Sequence, residues 1–91
     1  MMKIIKIGAL WCPACLITNN AIEKILKEDE NIVCETLDYD FDEEKVKKYD
    51  VGKVLPVLIF EKNGKEVLRL IGEKNYEEIK KVVGEVNEEN N

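Results

Sequence analysis

The chain has 91 residues, enough for one domain with a modest core. Hydrophobic residues make up 45% and charged residues 36%, which excludes a disordered chain, and no apolar run approaches the about 18 residues that a membrane-spanning helix needs. Nineteen acidic residues against 14 basic ones give a net charge of −5, so the basic face that a nucleic-acid partner requires is missing.

In chain order, residues 3–10 read as a buried strand, rich in β-branched residues, with Lys6 inside it. The start has the look of a leader peptide, but the apolar run is short, Lys6 interrupts it and no small-x-small cleavage site follows. A cytoplasmic protein is expected. Residues 13 to about 28 read as an amphipathic helix, from the recurrence of Leu16, Ile17, Ala21, Ile22, Ile25 and Leu26. Its core stripe is expected on Cys15, Ile22, Ile25 and Leu26. Residues 32–38 form a second strand, with Ile32, Cys34 and Thr36 on one face and Val33, Glu35 and Leu37 on the other. Two strands joined through a helix of this length run parallel, with a right-handed crossover.

Asp40 to Tyr49 reads as a short helix, acidic at its start and basic near its end, with Phe41, Val46 and Tyr49 as its apolar face. A third strand covers 54–60 and a fourth 66–71, joined through Asn63-Gly64, a strong hairpin signature. Gly72 ends the fourth strand. Asn75 is an N-cap with Glu78 three residues on, a capping box, and Tyr76, Ile79, Val83 and Val86 recur at helical spacing behind it. Residues 87–91 are expected to fray. The order βαβαββα gives an α/β fold: a four-stranded mixed sheet flanked by three helices, in a single domain over 1–91. Pro56, at the head of a core strand, makes Leu55-Pro56 a candidate cis peptide.

The chemistry is carried by Trp11-Cys12-Pro13-Ala14-Cys15, where the first strand gives way to the first helix. A helix start carries unpaired N–H groups and about half a positive charge, so a thiol placed there ionises more easily. Pro13 suits the first helical position, where its missing N–H costs nothing. Cysteines at i and i+3 can close a small ring, which makes Cys12 and Cys15 a dithiol/disulfide pair, Cys12 outermost and reactive, Cys15 deeper and resolving. Three cysteines and no histidine fall short of a four-ligand zinc site, and no metal is expected. Cys34, mid-strand, reads as a small buried hydrophobe.

Trp-Cys-x-x-Cys after the first strand, Leu55-Pro56-Val57-Leu58-Ile59-Phe60 about forty residues later, Asn63-Gly64-Lys65-Glu66-Val67 and then Ile71-Gly72 together resemble the thioredoxin superfamily. The resemblance runs from Lys3 to Val86. It implies a thioredoxin-like fold, a cis Pro56 opposite the cysteine pair, and substrate-binding positions at Trp11, Pro13, Leu55, Pro56 and Gly72, the last leaving room for a substrate backbone. The leading strand and helix of a full thioredoxin are absent, and Pro13 directly after the first cysteine is glutaredoxin-like. The stretches Val54-Leu55-Pro56 and Ile71-Gly72-Glu73, however, lack the Thr-Val-Pro and Gly-Gly with which glutaredoxins hold glutathione. Thioredoxins keep a buried aspartate six residues before the first cysteine, and here that position is Lys6, a cation that can favour a Cys15 thiolate.

The resemblance implies a thiol–disulfide oxidoreductase that reduces disulfide-containing protein substrates, is recharged by a disulfide reductase, and needs no cofactor beyond its own Cys12–Cys15 disulfide. Two alternatives stay open: a binding or thiol-sensing module of the same fold with little turnover, and a glutathione-linked, glutaredoxin-like activity. Nothing in the sequence calls for a membrane, a nucleic acid or more than a monomer.

Overall fold

The computed structural model describes residues 2–88. Strands β1 (Met2–Gly8), β2 (Ile32–Asp38), β3 (Val57–Lys62) and β4 (Lys65–Ile71) form one sheet in the order β2-β1-β3-β4. β1 runs parallel to β2 and antiparallel to β3, and β4 is antiparallel to β3. Helices α1 (Pro13–Glu28), α2 (Glu43–Lys47) and α3 (Tyr76–Glu88) complete the βαβαββα order that the sequence implies. It is a thioredoxin-like α/β fold.

Period-two alternation divides the core between the two faces of the sheet. Met2, Ile4, Leu58 and Phe60 pack with Ala21, Ile22 and Ile25 of α1 and with Ile79, Val83 and Val86 of α3. Ile5, Ile7, Val57 and Ile59 point the other way and pack with Val46 of α2, Leu37 and Leu55. Both cysteines of the Cys12/Cys15 pair belong to this second cluster.

The turns follow their chemistry. Asn63 and Gly64 both have positive φ, 55° and 78°, as a two-residue hairpin loop matched to strand twist requires. Asn75 Oδ1 accepts from Glu78 N–H at 2.9 Å while Glu78 Oε1 accepts from Asn75 N–H at 3.0 Å, a complete capping box. The Leu55-Pro56 peptide is cis.

Several boundaries differ from expectation, each for a local reason. β1 stops at Gly8, not at residue 10, because the chain turns there: Cys12 N–H donates to Ala9 C=O at 3.2 Å. α2 is confined to 43–47 because aspartates hold the preceding turn. Asp38 Oδ1 accepts from the N–H groups of Asp40 and Phe41, and Asp42 Oδ2 accepts from that of Asp38, a local alternative to helical bonding. Phe41 consequently lies 79% exposed rather than on an apolar helix face. β3 starts at Val57, after Pro56, which has no N–H to give to a ladder, and Val54 is exposed. On α1, Leu16 and Ile17 face outward, Leu26 is half-buried, and Thr18 takes a core position. α3 continues through Asn87 and Glu88; residues 89–91 lie outside the described residues.

Candidate functional site

The end of β1 delivers the chain to the start of α1, and the cysteines sit at that junction. Cys12 is the N-cap of α1, in extended conformation at φ −99° and ψ 105°, and Pro13 occupies the first turn. The Sγ of Cys12 accepts the backbone N–H of Cys15 at 3.2 Å, so the sulfur fills the place that a serine or aspartate oxygen takes in an ordinary cap. No acidic residue lies in the first turn of α1 to oppose a negative charge there. Cys12 and Cys15 are joined as a disulfide, with Cα atoms 5.3 Å apart. Cys12 is 9% exposed and Cys15 3%, so the first sulfur is the outer one.

The surroundings are apolar and open. A depression of about 350 Å³ is lined by Leu10, Trp11, Cys12, Pro13 and Leu16, among others. Leu10 is 87% exposed, Leu16 64% and Trp11 62%. The Trp11 indole donates its Nε1–H to Asp40 Oδ2 at 2.7 Å, which ties the ring to the turn after β2. Leu55 packs in the same cluster as Cys12, and Pro56 is fully buried. The C=O of Pro56 accepts the N–H of Gly72 at 2.8 Å. Gly72 has φ 95°, a conformation that only glycine adopts without strain, and a Cβ there would come within 3.9 Å of Val54. The sequence-derived positions therefore divide: Trp11 and Pro13 lie on the cysteine depression, whereas Leu55, Pro56 and Gly72 come together beyond it, joined to the pair through Leu55.

Two residues were not legible as part of this region. Asp40 read as the start of a helix, and only its position in space reveals its bond to Trp11. Thr18, fully buried, accepts the N–H of Lys74 at 3.0 Å and faces its C=O at 3.4 Å, pinning α1 to the segment before α3. A threonine inside a helical stripe of isoleucines was the available signal. Cys34 is half-buried, and burial pushes its thiol up, against the opposing influence of Lys6. Among the described residues, no group of three or more Cys, Asp or Glu is placed to hold a metal ion, and no helix is long and apolar enough to cross a membrane.

A mixed sheet of this order with a cysteine pair capping its first helix defines the thioredoxin-like class of thiol–disulfide oxidoreductases. The family model for thioredoxin matches residues 2–85, and the chain belongs to that family. The thioredoxin of Fasciola hepatica is 28% identical, with a TM-score of 0.84 over 92% of this chain and 79% of that one. A thioredoxin-2 described as a component of malaria parasite protein secretion machinery is 23% identical, with a TM-score of 0.86 over 93% and 82%. Oxidised mitochondrial thioredoxin 3 from Saccharomyces cerevisiae is 20% identical, with a TM-score of 0.83 over 92% and 77%. The last two are likenesses of fold. No curated protein matches the sequence.

Proposed function

We propose that this chain reduces disulfides in other proteins. Cys12 is the nucleophile: its thiolate attacks a target disulfide and forms a mixed disulfide. Cys15 then attacks Cys12 Sγ, releases the reduced target and leaves the Cys12–Cys15 disulfide. A disulfide reductase restores the dithiol, and no other cofactor takes part. Trp11, Pro13 and Gly72 form the surface that receives the target, with the buried Leu55 and Pro56 behind it, and the protein works as a cytoplasmic monomer.

The observation that carries this reading is the sulfur of Cys12 at the helix cap, accepting an amide N–H at 3.2 Å on the rim of an open apolar depression. The same N–H and the helix dipole favour the thiolate when the pair is reduced. The test is reduction of insulin with dithiothreitol as electron source. Wild type is expected to accelerate it and Cys12→Ser to abolish the acceleration. A wild type without turnover, or a fully active Cys12→Ser, overturns the reading.

A further inference from the structure

The two sulfurs of the pair stand in different surroundings. Cys12 Sγ receives an amide N–H at the cap. Cys15 lies one turn deeper, and a Cβ placed on Gly8 would lie 3.1 Å from its Sγ. Apolar burial disfavours a thiolate. Yet disulfide exchange needs Cys15 as an anion twice, once as the attacking sulfur and once as the leaving sulfur.

A cavity of about 130 Å³ lies between the end of β1, the first turns of α1 and the end of β2. Cys15 lines it together with Lys6, Gly8, Asn19, Thr36 and Asp38. Lys6 and Asp38 are its two charged residues. Asp38 is already committed, its Oδ1 accepting from two backbone N–H groups at 2.8 and 3.0 Å. Lys6 forms no ion pair or hydrogen bond with the described residues, although it is only half-exposed. Its charge is felt on this face of the sheet, where it acts on the Cys34 thiol against the effect of burial. On its other flank Lys6 pairs with Leu58 of β3, and α1 contributes the neutral Asn19 to the cavity.

We propose that Lys6 is a positioning residue for disulfide exchange: it lines the cavity that reaches Cys15, and its ammonium group stabilises the Cys15 thiolate in both half-reactions. The proposal rests on the reductase reading above and specifies how its second sulfur is served. In resolution, the Cys15 thiolate attacks Cys12 Sγ, the bond from Cys12 to the target sulfur breaks, and its electron pair leaves on the target, which takes a proton from water. In recharging, a thiolate of a dithiol donor attacks Cys12 Sγ. The Cys12–Cys15 bond breaks, and its electron pair goes to Cys15 beside Lys6. The donor's second thiolate then displaces Cys12 and leaves the donor as a disulfide. Asp38 opposes Lys6 from the same wall, and Cys12 and Cys34 are the other thiols within this region.

The test isolates Cys15 as the only thiol in a Cys12→Ser, Cys34→Ala background and follows thiolate absorbance against pH. Lys6→Met is expected to move the midpoint up by about one unit, the low end for a nearby opposite charge because Lys6 is partly exposed. Lys6→Arg is expected to keep it. Lys6→Gln, which is neutral but retains polarity, repeats the measurement should the methionine variant misfold. In the intact pair, at a pH above both midpoints, either neutral variant shifts the equilibrium with glutathione about tenfold toward the disulfide, and well below them the shift vanishes. An unmoved midpoint in both neutral variants, or an arginine variant that behaves like methionine, overturns the proposal. A wild type that fails on insulin would instead overturn the reductase reading, and the titration would still decide the role of Lys6.

Discussion

Replacing Gly8 by alanine tests the packing at the buried sulfur. The new Cβ would stand 3.1 Å from Cys15 Sγ and 3.5 Å from Cys15 Cβ, and ordinary contact begins near 3.4 Å. The sulfur must retreat by about 0.3 Å. Overpacking of this kind costs roughly 1–3 kcal/mol, and so small a displacement belongs near the bottom of that range. The cost falls unequally. In the oxidised protein Cys15 Sγ is tethered to Cys12, itself fixed as the cap of α1. In the reduced protein the side chain is free to rotate away. With about 1.4 kcal/mol borne by the oxidised form alone, the equilibrium with glutathione moves about tenfold toward the dithiol, or about 30 mV for this two-electron couple. Redox titration of Gly8→Ala beside wild type measures the shift, and thermal melts of both forms measure the asymmetry. Equal loss of stability in the two forms, with an unmoved equilibrium, would refute the reasoning.

Asn75→Ala removes one half of the reciprocal cap on α3, and urea unfolding should register a loss of about 1 kcal/mol. A loss within error would mean that the cap is not held in solution. Glu66 accepts two hydrogen bonds from Arg69, both 2.7 Å, and those bonds hold its carboxyl below the usual carboxylate range. A depressed folded-state value means stability that is present above about pH 4.3 and lost as the pH falls through the folded value. The pair is partly exposed, so the contribution is below about 1 kcal/mol. Urea midpoints measured from about pH 5 down to about pH 3 should fall less steeply in Glu66→Gln than in wild type, and parallel slopes would count against the pair.

The sequence was most legible where a residue's own backbone preference determines its structure. Asn63-Gly64 supplies two positive φ values with almost no alternative, Pro13 and Cys12 mark a helix start, and Asn75 with Glu78 closes on itself within four residues. It was least legible where side chains act across the fold. Phe41 looked apolar enough to bury, yet three aspartate-mediated bonds hold the turn around it open. Trp11 was readable as a neighbour of Cys12, but its bond to Asp40 spans 29 positions and leaves no periodic trace. Lys6 was recognisable as out of place, and only the parallel pairing of β1 with β2 brings it to Thr36 and the Cys15 cavity.

The chain contains a single tryptophan, and it adjoins the outer cysteine. All indole emission therefore originates at one corner of the molecule, where the Cys12–Cys15 disulfide and the Asp40 hydrogen bond adjoin the same ring. Unlabelled protein carries its own optical gauge of that corner. By the same token, a fluorescence melt follows the departure of the ring from its aspartate, and circular dichroism is needed to report when the sheet itself gives way.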